Sequence, residues 1–244
     1  ADSRLENITI QDANGNTIAG TDNGNGSKSF SVAHGTVTVD EAGRITYKPA
    51  DNYSNYDGSL TTSPDTFKVL VTDDTGQTTT TNVTVNVNPV ADAPTLTVVD
   101  DEVETPEDTA VSLGLKTPDV TDNTDQNGNT TTGDSPERLG VISLSGIPAG
   151  AALLSGTDAT LFTSNGGNIS IWLTDVNHPT DETKPANALE MTSAEFEALK
   201  VLPPAESHAN FTVTVSVTSY EVDDNGAKVS GVNGATSTAT VVVN

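Results

Sequence analysis

The chain contains no cysteine, so disulfide bonds cannot stabilise any part of its 244 residues. The lack of cysteine does not identify a compartment, but a chain that works outside the cell then needs another cross-link, such as a metal ion. No apolar run approaches the roughly 20 residues that a membrane helix requires, which predicts no membrane insertion. The opening residues, ADSRLENITI, do not resemble a signal peptide, and we expect the sequence to be part of a longer protein.

Positive charge is scarce in this sequence. Ten Lys and Arg residues stand against 34 Asp and Glu residues, which leaves a formal net charge of −24. Nucleic acids and anionic membranes are bound through clustered Lys and Arg, so the composition argues against both as partners. A charge of this size keeps a chain soluble and monomeric but destabilises its compact state through self-repulsion. We therefore expect polyvalent cations to bind and a monomeric chain.

Aromatic residues make up only 4% of the chain, and an acidic, aromatic-poor composition is also found in disordered proteins. Periodicity argues against disorder, because Val and Ile alternate with Thr, Asn and Ser in segments such as 36–39, 82–87 and 211–219. Such period-two runs are typical of half-buried strands. Clusters of Gly, Asn and Asp separate the runs and are typical of turns. The sequence therefore predicts an all-β fold.

A Pro-bounded linker divides the chain into two predicted β-domains. The segment NPVADAP at 88–94 follows two strands that close the first domain, and a strand TLTVVD is predicted after it. We place the first domain at 1–91 and the second at 92–244, each long enough to bury its own core. The expected architecture is two tandem immunoglobulin-like or cadherin-like β-sandwiches joined end to end.

Local signals predict one hairpin, one helix and two long loops. The segment GTVTVDEAGRITYKP at 35–49 has the pattern of a β-hairpin. Thr192 and Glu195 form a capping-box pattern before FEALK, which predicts a short helix in the second domain. Polar stretches at 119–137 and 177–190 are predicted surface loops, and loops longer than about 12–15 residues are usually functional or disordered.

Acidic residues around the predicted joint are candidate calcium ligands. Calcium takes six to eight oxygen ligands, and carboxylates from two domains and a linker can converge only if a cation cancels their repulsion. The alternative is that these carboxylates form a solvated surface, as acidic loops most often do. The candidate ligands are Asp65, Asp73, Asn88, Asp92, Glu107, Asp108, Asp122, Asp125, Asp134 and Glu137. A second candidate cluster consists of Glu221, Asp223, Asp224 and Asn225, but the residues DDNG in it are equally typical of a hairpin turn.

Both domains resemble repeats of giant bacterial surface proteins. The first resembles their cadherin-like and related tandem repeats, through GTVTVDEAGRITYKPADNYSN and FKVLVTDDTGQTTTTNVTVNVNPVADAP. The second resembles the immunoglobulin-like extender repeats of repeats-in-toxin adhesins, which Gram-negative bacteria export by type I secretion. The motifs that carry this second resemblance are PEDTAVSLGL, ERLGVISLSGIPAGAALLSG, MTSAEFEALKVLPPAESHANFTVTVSVTSYE and STATVVV. The loop at 119–137 is longer than in common extenders, and 158–190 looks like an insertion.

The resemblance implies a secreted segment at the bacterial cell surface that projects ligand-binding domains and takes part in adhesion and biofilm formation. It also implies stiffening by calcium, with neighbouring domains of the same adhesin as partners. Glu107 of PEDTA and the pair Asp134 and Glu137 match the acidic motifs of the family best. We expect these three residues to be the leading calcium ligands.

Two other functions are alternatives to this structural role. The second domain could itself bind a host or biofilm glycan or protein, with Trp172 exposed beside His178 or covered by the loop at 177–190. Enzymatic activity is not expected, because no GxSxG, HExxH or phosphate-loop motif is present and the carboxylates lie on loops without an aromatic cleft.

Overall fold

The protein is described by a computed structural model that covers residues 8–55, 64–123 and 136–244. The described chain divides into two compact units, one ending at Pro89 and one beginning at Val90. The predicted boundary between 91 and 92 lies two residues further along the chain. Strands make up nearly all the regular structure, which confirms the predicted all-β fold of immunoglobulin-like sandwiches. No helix in the described residues is both long and apolar enough to cross a membrane.

The first unit is a sandwich of two antiparallel sheets. One sheet has the strand order β1-β6-β7 and the other the order β2-β3-β4-β5. The strands are β1 (Ile8–Gln11), β2 (Gly20–Asp22), β3 (Lys28–Val32), β4 (Gly35–Val39), β5 (Ile45–Pro49), β6 (Asp65–Thr72) and β7 (Thr78–Val85). Alternate residues such as Ile10, Val37 and Phe67 point between the sheets and are buried. The predicted hairpin is confirmed, because β4 pairs with β5 over its whole length.

The second unit packs a seven-stranded sheet against a four-stranded one. The large sheet has the order β15-β14-β11-β17-β18-β8, with β10 also paired to β17, and the small one has the order β13-β12-β16-β9. The large-sheet strands are β8 (Glu102–Val103), β10 (Glu137–Leu139), β11 (Ile142–Ser145), β14 (Ile169–Leu173), β15 (Leu189–Met191), β17 (Phe211–Glu221) and β18 (Ala235–Val243). The small-sheet strands are β9 (Val111–Ser112), β12 (Ala152–Leu154), β13 (Thr160–Thr163) and β16 (Lys200–Leu202).

The short helix α1 (Ser193–Glu197) lies in the second unit where the capping box predicts it. The Thr192 side chain accepts from the Glu195 N–H, and the Glu195 carboxylate accepts from the Thr192 N–H at 2.7 Å. Phe196 and Leu199 are fully buried, so the helix packs on the core by this face. The capping box thus determines where the helix starts, and the apolar pair orients it.

The predicted strand at 95–100 is wrong in extent. Only isolated bridges form there, from Thr95 to Asp119 and from Val98 to Leu115. Gly114 has a φ of 58°, and the Val99 N–H donates to its carbonyl at 2.8 Å. A left-handed residue interrupts the regular pairing of two extended strands, so the ladder does not propagate.

Four of the 34 acidic residues begin turns of one design. Each has Asp first and a left-handed Gly fourth, and the Asp carboxylate accepts the N–H four residues on at 2.8–3.0 Å. The Asp–Gly pairs are Asp12–Gly15, Asp40–Gly43, Asp73–Gly76 and Asp223–Gly226. Hydrogen bonds lower the pKa of the first three carboxyls, and the main donors are the Asn16 side chain for Asp12, the Arg44 N–H for Asp40 and the Thr75 hydroxyl for Asp73. These carboxylates therefore have a structural use that requires no metal.

Candidate metal centre

Two buried carboxyl groups face each other at one end of the second unit. Glu137 on β10 is the cross-strand partner of Glu221 on β17, and the two residues are 1% and 5% exposed. Directly paired residues on antiparallel strands have Cβ atoms about 4.5–5.5 Å apart. Glu221 continues the inward row of β17, which is apolar as far as Val217 and turns polar at Ser219. The core of the unit therefore ends in a pair of acids.

The backbone of Asp92 closes this end of the unit. Its N–H donates to Oε1 of Glu137, and its carbonyl accepts from the Ser219 hydroxyl. Two residues later, the Pro94 carbonyl accepts from the Ser237 hydroxyl at 2.5 Å. The Asp92 side chain is exposed, so the main chain makes these contacts and the carboxylate remains at the surface.

The pKa of Glu137 is raised from its ordinary value of 4.5 to about 7. Burial is the main cause, and the nearby charge of Asp92 adds to it, while hydrogen bonds from backbone N–H groups act in the opposite direction. Oε2 of Glu137 is buried and accepts no hydrogen bond from the described residues. An orphaned carboxylate oxygen in this position needs a proton or a cation.

Arg138 is the nearest cationic side chain along the strand, and two of its hydrogen bonds are to main-chain carbonyls. Its Nη1 donates to the carbonyls of Asn123 at 3.0 Å and Glu137 at 2.7 Å. Burial lowers the pKa of the guanidinium, and the charge of Asp122 opposes that shift. Asp122 is itself buried, and its carbonyl accepts from the Glu137 N–H at 2.5 Å.

The structure thus brings together three of the predicted ligands, Asp92, Asp122 and Glu137, and adds Glu221. Asp125 and Asp134 lie outside the described residues. Within the described chain, no group of three or more His, Asp or Glu side chains has an arrangement that could hold a metal by itself. The donor set here is a pair of buried carboxyl groups, and carboxylate oxygens suit an oxygen-binding cation such as calcium.

Glu107 and Asp108 lie at the other end of the second unit. Two residues before Glu107, the Thr105 N–H donates to the Asn244 carbonyl, beyond the end of β18 that pairs with the start of β17. Eight residues of β17 separate that end from Ser219, which is about 27 Å. Both side chains are exposed, and Asp108 accepts from the Glu206 N–H at 3.1 Å. They do not join the carboxylate pair.

In the first unit, Asp65 and Asp73 lie at opposite ends of β6. Asp73 is exposed and belongs to the β6–β7 turn, where its Oδ1 accepts from the N–H groups of Thr75 and Gln77, both at 2.9 Å. Asn88 is exposed and lies three residues beyond Val85, the cross-strand partner of Asp65. The two predicted aspartate ligands are therefore separated by the length of a strand.

Asp65 is buried in a hydrogen-bonded cluster of its own. Its carboxylate interacts with Nδ1 of His34 at 2.7 Å and accepts from the hydroxyls of Tyr53, at 2.8 Å, and Tyr47. The His34 and Tyr53 rings stack with centroids 4.6 Å apart. Burial and the Asp65 carboxylate raise the pKa of Tyr47. Protein groups already fill most of the coordination that a metal would use.

The surroundings of Trp172 bear on the alternative that the second unit binds a glycan or a protein. Trp172 is half-buried on the face of β14 opposite Ile169, Ile171 and Leu173, as its phase predicts. The His178 ring stacks on it with centroids 3.7 Å apart. The indole therefore has one face covered by the inserted connection.

A cavity of about 560 Å³ opens beside Arg138. It is mixed in character, with Pro118, Val120 and Leu139 among its apolar walls. Its polar lining comes from Asp119, Asn123, Glu137, Arg138, Asp175 and Asn177. Small-molecule sites have volumes of about 300–1,000 Å³, so this cavity is large enough for a ligand.

Glu221 was missed as a partner of Glu137 because DDNG after it has the pattern of a hairpin turn. The signal that identifies Glu221 is its place in the alternation of β17, where it falls on the buried side of the strand. In FTVTVSVTSYE the inward positions of the strand run through Val213, Val215 and Val217 to Ser219 and then Glu221. A carboxylate in the phase of a buried row predicts a partner, since unpaired buried charge is too costly.

Comparison with known proteins supports an immunoglobulin-like fold. Residues 3–86 match the family described as "Bacterial Ig domain". No curated protein matches the chain. The fibronectin(III)-like modules of CbhA from Clostridium thermocellum align with 100% of this chain and 79% of theirs, at 9% identity and a TM-score of 0.21. Domains 4 and 5 of the S-layer protein SbsC align with 97% of this chain and 96% of theirs, at 14% identity and a TM-score of 0.24. Both TM-scores are too low to indicate a shared arrangement across the whole chain.

Proposed function

We propose that this chain is a structural segment of a bacterial extracellular protein and that calcium stabilises its second unit at the Glu137–Glu221 pair. The observation that carries the proposal is this buried, register-paired set of carboxyls, in which one oxygen of Glu137 accepts no hydrogen bond from the described residues. The "Bacterial Ig domain" match of residues 3–86 supports a structural role for the first unit. Folds of this type are typically non-catalytic, and we propose no enzymatic activity.

Within that role we propose a segment of a surface adhesin that projects ligand-binding domains from the cell. The support is the resemblance of both units to adhesin repeats. The chain has no cysteine and a net charge of −24. An extracellular protein with this composition gains cohesion from a divalent cation where other secreted domains use disulfides.

Calcium fits the carboxylate pair for electrostatic reasons. Glu137 and Glu221 are direct cross-strand partners, and two ionised carboxylates in such buried positions repel each other strongly. A bound proton or a bound cation relieves this repulsion at neutral pH. Glu137 and Glu221 would be the charged ligands, and main-chain carbonyls and water would complete the oxygen shell. Extracellular modules bind calcium with dissociation constants of about 10⁻⁴–10⁻³ M, which a two-carboxylate site can reach.

The test is the thermal stability of the whole chain in EGTA, in calcium and in magnesium. Emission of Trp172, the one tryptophan, follows the second unit specifically. Calcium at a hundred times its dissociation constant should add about 2.7 kcal/mol, and magnesium less because it keeps its waters. Glu137→Gln and Glu221→Gln should each raise the melting temperature in EGTA and remove the calcium response.

Glu104→Gln is the matched control, because it removes one exposed carboxylate and should leave the calcium response intact. Glu107→Gln tests whether a second calcium site exists at the other end of the unit. Identical melting curves of the unmodified chain in EGTA and in calcium would reject the calcium proposal. The buried pair would then share a proton.

A second candidate function is ligand binding by the second unit. The cavity beside Arg138 supports it, because polar groups from three segments converge there. Its ligand would be a polar molecule such as a glycan or a peptide side chain of a host or biofilm component. Such binding is compatible with a structural role for the first unit, so the two functions are tested separately.

A further inference from the structure

His178 places both of its ring nitrogens against backbone carbonyl oxygens. Nδ1 lies 2.6 Å from the Leu139 carbonyl oxygen, and Nε2 lies 2.8 Å from the Leu173 carbonyl oxygen. A carbonyl oxygen can only accept, so each of these contacts needs an N–H donor on the ring. The ring also stacks on Trp172, with 27° between the planes.

A neutral imidazole cannot satisfy this geometry. It carries one N–H and one lone pair, so one of the two contacts would place a lone pair against a carbonyl oxygen. The imidazolium ion carries two N–H donors and satisfies both carbonyls. A cation is also favoured over the face of an indole ring. We propose that the folded second unit holds His178 as the imidazolium ion, and that this ion clamps the connection between β14 and β15 onto the sheet.

The position of His178 in the chain gives the clamp its structural effect. Strands β14 and β15 are parallel neighbours, so the chain must leave the sheet after Leu173 and return to it at Leu189. His178 lies near the start of this connection and bonds to the last residues of two strands, Leu139 on β10 and Leu173 on β14. One protonated side chain thereby joins the connection to both strands and covers Trp172.

Three charged groups on the elements around His178, Asp175, Glu182 and Lys184, have partners of their own. Asp175 accepts from the Ser193 N–H at 2.8 Å, Glu182 pairs with Lys228, and Lys184 pairs with Glu190. Among the described residues, the ring nitrogens of His178 contact only the two carbonyls, which are neutral acceptors. The charged groups on these elements are Glu137, Arg138, Asp175, Asp181, Glu182, Lys184 and Lys228.

The clamp depends on the second N–H donor of the ring. A ring with a single N–H would lose one N–H···O bond and the charge over Trp172, and the connection would then be held less firmly.

Nuclear magnetic resonance of the ¹⁵N-labelled, calcium-saturated chain tests the protonation state directly. At neutral pH we expect both ring nitrogens of His178 to resonate as protonated nitrogens, with two slowly exchanging ring N–H protons. His208 is exposed and serves as the internal reference for a histidine without these contacts. A His178 spectrum with one unprotonated ring nitrogen at neutral pH would overturn the proposal.

Thermal unfolding followed by Trp172 emission tests the clamp. His178→Gln can donate from only one nitrogen, so it should lower the melting temperature of the second unit by several degrees at neutral pH. His208→Gln should leave the melting temperature unchanged. An unchanged melting temperature for His178→Gln would contradict the clamp. The unmodified and variant chains share every carboxylate, so this comparison is independent of the calcium proposal.

Discussion

Glu221 lies directly opposite Glu137 in the antiparallel pair of β10 and β17, and the two carboxyl groups are both buried. Without a cation, such a pair is most stable when a proton is bound. Burial raises the pKa of Glu137 from an ordinary 4.5 to about 7, which likewise favours the protonated form of the folded unit. The folded unit takes up a proton at a pH where the unfolded chain has released it.

We therefore predict that, in EGTA, the second unit loses stability as the pH rises from about 4.5 to about 7. The stabilisation is fully present below the unfolded pKa of 4.5 and is lost through the folded value of about 7. Each pKa unit corresponds to about 1.4 kcal/mol, so the total loss is about 3 kcal/mol. Urea unfolding followed by Trp172 emission measures it.

The control for this prediction is Glu137→Gln, which cannot ionise and should flatten most of the pH dependence in this range. Saturating calcium should also reduce the slope, because the ion replaces the proton at the pair. A free energy of unfolding that does not change between these pH values in EGTA would contradict the buried-acid interpretation.

The main chain of Asp92 predicts a contrast between two substitutions. Asp92→Ala keeps the N–H that donates to Glu137 and removes only an exposed side chain, so it should have little effect on stability. It also removes a charge that raises the pKa of Glu137, so the pH dependence should shift to lower pH. Asp92→Pro removes the N–H itself and should cost at least about 1–3 kcal/mol, the penalty for a buried acceptor without its donor. Equal stabilities of the two variants in urea unfolding would show that this bond is unimportant.

The sequence predicted the parts of this fold that depend on local patterns. Period-two alternation identified β4, β5, β14 and β17, and the capping box identified α1, because these signals follow from neighbouring residues alone. The position of Glu107 could not be predicted in the same way. It depends on which end of the sandwich its turn occupies, and only the pairing of β17 with β18 determines that.

The candidate site was predictable in part for the same reason. Asp92 and Glu137 were identified from charge near a linker. Glu221 could be identified only from the full length of β17, because the alternation of buried residues in this eleven-residue strand continues to its last residue. Asp73 shows how a local turn pattern can account for a predicted ligand. An Asp followed three residues later by Gly is sufficient for the turn that the structure shows, so its charge needed no metal to explain it.

In the first unit, we predict that Tyr53→Phe destabilises the sandwich by about 1.5–3 kcal/mol, the usual value for a hydrogen bond to a charged group. The hydroxyl of Tyr53 donates to buried Asp65 at 2.8 Å, and the phenyl ring would retain its stacking on His34. Chemical denaturation followed by the tyrosine near-ultraviolet circular dichroism measures the loss. The unfolding reported by Trp172 should be unchanged, because that residue belongs to the second unit. A stability equal to that of the unmodified chain would mean that Asp65 does not depend on this donor.

The final prediction separates a structural second unit from a glycan-binding one. His178 covers one face of Trp172 with ring centroids 3.7 Å apart, so a sugar cannot stack there without displacing it. We expect no saturable change in Trp172 emission on addition of neutral monosaccharides at millimolar concentrations. Asn177→Ala and His178→Gln provide the comparison, the first altering the cavity lining and the second uncovering the indole. A saturable shift in the unmodified chain that Asn177→Ala abolishes, with the melting temperature retained, would establish the cavity beside Arg138 as a binding site and replace the purely structural role of the second unit.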